Sequence, residues 1–162
     1  MSQLSDSGLR VTLPSGWDGA IRPAGASGPA AEARAADAGD EPAHGFGVVL
    51  HAASFALPSE RGDYGSGAVE VMSGSDVLVC LLEHPPEDLD TPLFRRRGRP
   101  QLTTSSFSPQ TMQRALPGMA GAQHFFQEAG RPFCLYVVVG SFRTRGPLVR
   151  TADNVVSSID IA

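Results

Sequence analysis

The chain has 162 residues, 41% of them hydrophobic, which is enough apolar material for one folded domain. Its formal net charge of −4 disfavours general nucleic-acid binding, which needs a basic surface to displace counterions. No apolar run approaches the ~20 residues of a membrane-spanning helix, so no integral membrane segment is predicted.

The first structural pattern is a short alternation near the start of the chain. Leu9, Val11 and Leu13 alternate with polar residues, which is typical of a strand with one buried face. Residues 14–16 have turn chemistry, and residues 17–22 can return as a second short strand. The pattern therefore predicts a β-hairpin.

An Ala-, Gly- and Pro-rich stretch follows this hairpin. Residues 23–42 contain no large apolar side chain, so they cannot offset the entropy lost on ordering. We predict a flexible insert over residues 23–45. An insert of this kind can order on contact with a partner.

The predicted core begins after this insert. Residues 48–57 form a long strand candidate that ends at Pro58, and residues 61–67 form a glycine-rich loop. A short helix with Ala68, Val69 and Met72 on one side is predicted next. Residues 77–82 are apolar at every position, which indicates a central strand covered on both faces.

Residues 84–106 are predicted to be an irregular loop because prolines recur at positions 85, 86, 92 and 100. A short helix is predicted after Phe107, with Ser108 as its cap and Pro109 at its first position. Two strands follow, over residues 122–127 and 133–139, joined as a hairpin. The second is apolar at odd and even positions alike and is predicted to be central.

The last element is an amphipathic helix that begins near Pro147. Its apolar positions follow helical spacing, namely Leu148, Ala152, Val155, Val156 and Ile159. Together these elements predict a single α+β domain over residues 1–162. In this fold class a mostly antiparallel sheet is sandwiched between helices.

The two cysteines, Cys80 and Cys134, both lie in apolar runs. Two are too few for a disulfide framework or a cysteine zinc site. We therefore predict two buried free thiols. A catalytic thiol would need an electropositive, partly exposed environment instead.

The histidines show no metal-ligand spacing. His44, His51, His84 and His124 are scattered, and only His51 and His124 fall in predicted strands where they could be neighbours. No nucleophile elbow or phosphate-binding loop is present. No catalytic residue, metal site or cofactor is therefore predicted, although a small metal-binding protein using scattered histidines and carboxylates stays open as an alternative.

One candidate site remains, the basic run Arg95, Arg96, Arg97 and Arg99. Guanidinium groups bind carboxylates and phosphates well, so an anionic partner could dock there. The alternative is a solvated loop whose charge is offset by the acidic residues at 87–90. We expect a non-catalytic module that binds a protein partner at a sheet edge or through loop 84–106, with a small-anion binder as the second hypothesis.

The N-terminal residues carry no positively charged region and no apolar core, so no signal peptide is predicted. The expected location is the cytoplasm.

The opening strand and its turn, residues 9–17, carry a Pro-x-Gly-Trp signature that is similar to the start of the PsbP-like or Mog-type group. The late strand and terminal helix, residues 133–161, also resemble the end of that group. The resemblance implies an antiparallel sheet between helices and a mostly non-catalytic role in binding or assembly. It carries no site residue, because the group has no shared catalytic motif.

Overall fold

The computed structural model describes residues 1–25 and 47–162. Within these ranges the chain forms eight strands, one α-helix and five short 3-10 turns. The elements are β1 (Ser2–Asp6), β2 (Leu9–Leu13), β3 (Asp18–Pro23), β4 (Val48–Ala53), β5 (Val77–Glu83), β6 (Ala120–Glu128), β7 (Arg131–Val139), α1 (Arg145–Ser157) and β8 (Asp160–Ile161). The structure describes only the start of the predicted flexible insert. Pro23 is the last residue of β3, and residues 26–45 lie outside the described part of the chain.

The main sheet has five strands in the order β3-β4-β5-β7-β6, and every neighbouring pair is antiparallel. β5 and β7 both lie inside this sheet, as their continuous apolar sequences predicted. Their side chains are buried on both faces because cover is present above and below. The edge strands are β3 and β6.

A second, smaller sheet has the order β1-β2-β8. The predicted hairpin between residues 9–13 and 17–22 is wrong, because β2 pairs with β1 and β8 while β3 pairs with β4. The tight turn next to β2 lies at its N-terminal end, where it joins β1 to β2. Ser7 and Gly8 both have positive φ, 52° and 78°, which suits a two-residue turn between β1 and β2.

The predicted hairpin near the C-terminus is confirmed. β6 and β7 pair from Ala120↔Val139 to Glu128↔Arg131. The connection is only Ala129 and Gly130, which both have positive φ, 54° and 72°. A turn with this geometry matches the natural twist of the two strands and sets their register.

One face of the main sheet packs against the small sheet and α1. Successive residues point to opposite faces, so alternate positions of β5 and β7 enter this core. The buried residues from the covering elements are Leu9, Val11, Leu13, Leu102, Phe107, Val149, Ala152, Val155, Val156 and Ile159. The predicted C-terminal helix is confirmed, and Ala152, Val155 and Val156 of the predicted stripe are buried. Val149 is buried where Leu148 was predicted, and Ile159 enters the core from beyond the end of the helix.

The opposite face of the main sheet is covered by loops and 3-10 turns. The short helices predicted around residues 68–72 and after Phe107 are instead the single turns Val69–Val71 and Pro109–Thr111. Ser108 does cap the second turn, since its Oγ accepts from the Gln110 backbone N–H at 3.2 Å. We call this side the loop-covered face.

The predicted sandwich of a sheet between helices is therefore wrong. The structure has two antiparallel sheets and, in the ranges described, a single α-helix. Met72, Met112 and Met119 exclude water from the loop-covered face without needing a long helix. Pro and Gly recur too often in these segments for a helix to extend there.

Candidate binding site at the outer edge of β6

Residues 94–112 wrap around the outer edge of β6. At one end Phe94 lies on the loop-covered face, where its ring centroid is 5.7 Å from that of Phe125. Leu102 and Phe107 then enter the core on the opposite face, and Met112 returns to the loop-covered face. The segment thus crosses the strand edge twice.

Each crossing is fastened to the backbone of β6. At the first, the Gln127 N–H donates to the Arg96 carbonyl at 2.8 Å, and the Gly98 N–H donates to the Gln127 carbonyl at 2.8 Å. At the second, Gly121 and Ser108 exchange two backbone hydrogen bonds of 3.0 Å. These two contacts close the ends of the β6 edge.

Between the two crossings lies a short stretch of open edge, residues 123–125, which we call the β6 window. Gly121 and Gln127 use their outward peptide groups in the crossings, so by the two-residue period of a strand Gln123 and Phe125 also point their peptide groups outward. No hydrogen bond to these groups is formed by any residue in the described ranges. Gln123, His124 and Phe125 are each half-buried. An edge with unpaired N–H and C=O groups is a template for another strand.

Three of the four predicted site residues lie beside this window. Arg95, Arg96 and Arg97 are exposed, and none forms an ion pair or side-chain hydrogen bond with another described residue. We call residues 95–97 the arginine segment. The acidic residues at 87–90 do not pair with it, since Asp88 lies instead 3.4 Å from His84 Nδ1.

The arginine segment is held in place on both sides. Phe94 is 1% exposed, and its carbonyl accepts a hydrogen bond from Gln127 Nε2 at 2.8 Å. Pro100 is buried at the other end. Leu93, next to Phe94 in the chain, is an apolar side chain that is 54% exposed.

Arg99, the fourth predicted residue, has a different role. Its Nε lies 3.6 Å from Glu128 Oε1, and one terminal nitrogen donates to the Val156 carbonyl at 3.4 Å. It lines an open cavity of about 280 Å³ against α1. The other residues around this cavity are Pro100, Gln101, Asp153, Val156 and Ser157. The structure therefore separates Arg99 from the arginine segment.

His124 is a member of the site that sequence reasoning missed. It lies in the middle of the β6 window, directly opposite Leu135 of β7. Its Nε2 is buried and accepts or donates no hydrogen bond within the described part of the chain. Burial lowers the pKa of His124, and the charge of Arg96 lowers it further. The crossing at Arg96 and Gln127 brings this ring close to Arg96, and the sequence alone does not show it.

A second cluster lies under the glycine-rich loop. His51 is fully buried, its Nδ1 accepts a hydrogen bond from Arg61 Nε at 2.8 Å, and its Nε2 lies 2.8 Å from the Asp63 carbonyl. Because an arginine N–H can only donate, the proton of the neutral ring is on Nε2 and donates to Asp63. Burial lowers the pKa of His51 to about 4. The ring is a neutral link that holds the loop on β4.

The glycines of this loop serve the backbone. Gly67 has a φ of +90°, and a Cβ there would lie 2.6 Å from the Glu60 carbonyl oxygen. The close approach and the left-handed conformation both require glycine. The glycine-rich loop is therefore a tight turn.

In the described ranges, which do not include His44, the structure does not bring His51 and His124 together. His51 shares the loop-covered face with Cys80, its partner in the pairing of β4 and β5, whereas His124 lies on the opposite face. In residues 1–25 and 47–162, no group of three His, Cys, Asp or Glu side chains is placed to hold a metal ion. Cys80 and Cys134 are buried free thiols, as predicted. Burial raises the pKa of both.

No family model, no curated protein and no solved structure matches this chain. The resemblance to the PsbP-like group stays a prediction. No helix in the described ranges is both long and apolar enough to cross a membrane.

Proposed function

We propose that this protein is a non-catalytic module that binds a protein partner through the surface formed by the arginine segment and the β6 window. The observation that carries the proposal is the position of Arg95, Arg96 and Arg97. Three exposed guanidinium groups with no partner among the described residues lie beside the unpaired edge of a sheet. A partner could thus form ion pairs with the arginine segment and backbone hydrogen bonds with the β6 window at the same time.

The arrangement favours a polypeptide over a small anion. The three arginines follow one another along a strip of chain, where carboxylates on a partner can meet them in turn. The nearby cavity of about 280 Å³ is lined by Arg99, whose guanidinium is already engaged with Glu128 and the Val156 carbonyl. Arg95, Arg96 and Arg97 do not line this cavity, so it does not gather the arginine segment around a small anion.

The anchoring of the segment supports the same proposal. Phe94 is buried against Phe125 and His84, with ring centroids 5.7 and 4.9 Å away. The backbone of Arg96 is hydrogen bonded to β6. A surface that is ordered before binding loses less entropy when a partner arrives, so more of the contact energy appears as affinity.

The test is a selection of partners from a random peptide library displayed against the whole protein. We expect the selected peptides to be enriched in Asp and Glu. Their affinity should fall at least tenfold for the triple variant Arg95→Ser, Arg96→Ser, Arg97→Ser. The matched control changes Arg10, Arg143 and Arg150 to Ser, which alters the net charge equally at three exposed positions elsewhere.

The control variant should bind like the wild type. If no peptide is selected, or if the selected peptides bind both triple variants equally well, the proposed function is wrong. Thermal unfolding of each variant shows whether the fold is kept. The side chains of these three arginines form no ion pair with another described residue, and the substitutions keep the backbone bond of residue 96, so the unfolding midpoint should stay nearly unchanged.

A further inference from the structure

The β6 window has a shape that identifies how a partner would bind. In the described ranges the N–H and C=O of Gln123 and of Phe125 have no hydrogen-bond partner, and both ends of the window are closed by the chain itself. Resting on the proposed function, we propose that the partner is an acidic, extended segment that adds to β6 as a short sixth strand of the main sheet. Its carboxylates would then face the arginine segment.

The length of the window sets the length of that strand. Gly121 and Gln127 are six residues apart, which is about 20 Å along a strand. Ser108 and Arg96 occupy the two ends. About three residues of a partner can therefore pair in the window. The residues of the partner on either side of these three must turn away from the sheet to pass the crossings at Arg96 and Ser108.

The charge and the space beside the β6 window decide which kind of strand can bind there. A second copy of this chain would have difficulty pairing β6 with β6, because Ser108 and residues 96–98 already fill the positions beside Gly121 and Gln127 in each copy. A short segment rich in Asp or Glu fits between these crossings and is attracted by the guanidinium groups of the arginine segment, so an acidic partner is favoured over self-association.

Gln123 offers a way to test the backbone contact by itself. Its outward N–H faces the window, and in the described part of the chain its side chain forms one hydrogen bond, from Nε2 to Cys134 Sγ at 3.4 Å. Gln123→Pro removes the side chain and the outward N–H while keeping the pairing with β7, because proline is tolerated at an edge position whose N–H faces solvent. Gln123→Ala removes the side chain alone and is the matched control.

The probe is an eight-residue peptide of alternating Glu and Val with capped ends, titrated into the labelled protein and followed by amide NMR. We expect binding to the wild type and to Gln123→Ala, and at least tenfold weaker binding to Gln123→Pro. Hydrogen exchange of the Gln123 and Phe125 amides should slow on binding. The same peptide with Lys in place of Glu should not bind, and the protein should sediment as a monomer.

The outcomes separate the two proposals. If the Glu-Val peptide binds all Gln123 variants equally and only the triple arginine variant weakens it, strand addition is overturned while the proposed function stands. No binding of the Glu-Val peptide to the wild type, or a β6-mediated dimer, overturns strand addition as well. The library selection decides the proposed function independently. Unfolding midpoints of Gln123→Pro and Gln123→Ala show whether any loss reflects the edge and not the fold.

Discussion

Arg61 donates a hydrogen bond from Nε to Nδ1 of His51 at 2.8 Å, in a place where the histidine ring has no solvent contact. The terminal nitrogen Nη1 of Arg61 donates to the Pro58 carbonyl at 2.7 Å. The arginine therefore joins the start of the glycine-rich loop to the middle of β4. This link works only while the His51 ring is neutral, because protonation would place an N–H against the donor of Arg61.

The first prediction concerns the pH dependence of stability. Burial lowers the pKa of His51 from 6.5 to about 4 in the folded protein. Between these two pH values the unfolded chain binds a proton at His51 and the folded chain does not. The contribution of His51 is complete above pH 6.5 and is lost as the pH falls toward 4, by about 3 kcal/mol in all. Urea unfolding at a series of pH values between 8 and 4 measures it.

The control for this prediction is His51→Gln, which cannot titrate. It should be less stable than the wild type at pH 8, because it replaces a fully buried and doubly hydrogen-bonded ring. The difference between the two proteins should shrink as the pH falls from 6.5 to 4. A difference that stays constant across this range would show that His51 is not the titrating group.

A second prediction concerns Arg131, which joins the two sheets. Its Nε donates to Glu83 Oε2 at 2.6 Å inside the main sheet, while its terminal nitrogens donate to the Ser7 and Ala162 carbonyls at 3.1 Å. Both side chains of the ion pair are only 18% exposed. Arg131→Ala should therefore lower the free energy of unfolding by about 2–3 kcal/mol, since it leaves a largely buried carboxylate unpaired.

Glu83→Gln is the comparison for Arg131→Ala. It keeps an acceptor for Arg131 and leaves the contacts to Ser7 and Ala162 in place, so the loss should be smaller, about 1 kcal/mol. Urea unfolding of both variants and of the double variant measures the coupling. Equal and additive losses would mean that the pair does not act as a unit.

The third prediction is that the two thiols are unreactive in the folded protein. Cys80 and Cys134 are fully buried in β5 and β7, and burial raises the pKa of each. Because the thiolate is the reactive form, iodoacetamide at pH 8 should modify neither residue until the protein unfolds. Mass spectrometry of native and urea-treated samples measures the labelling. Rapid alkylation of either thiol in the native sample would contradict an inert core.

The fourth prediction uses His124 as a reporter of the arginine segment. Burial lowers the pKa of its ring, and the charge of Arg96 lowers it further. Arg96→Ser removes only the second effect, so the pKa of His124 should rise while staying below the ordinary value. NMR titration of the ring protons measures this, with Arg150→Ser as the control on α1. An unchanged pKa in Arg96→Ser would mean that Arg96 does not lie near the window.

Several elements could be predicted from the sequence because their patterns have a local cause. Residues 77–82 of β5 and 133–139 of β7 are apolar at every position, and α1 has a buried stripe at helical spacing. The burial of Cys80 and Cys134 follows from the same apolar runs. The Ser108 cap also rests on a contact within three residues.

The remaining features depend on contacts between distant residues. β1 is almost wholly polar and exposed, so no hydrophobic pattern marks it, and its pairing with β2 rests on the turn at Ser7 and Gly8. The separation of β2 and β3 into different sheets depends on β8, at the far end of the chain. The arginine run could be selected as a candidate site from sequence, but its position beside Gln123 and Phe125 follows only from the crossings at Arg96 and Ser108.

The most direct test of the open edge needs no partner. In the free protein, the amides of Gly121 and Gln127 are hydrogen bonded across the β6 edge, whereas those of Gln123 and Phe125 in the same strand have no bond there within the described ranges. Residue-resolved hydrogen exchange should show strong protection at Gly121 and Gln127 and much faster exchange at Gln123 and Phe125. Equal protection at all four amides would show that the window is already closed.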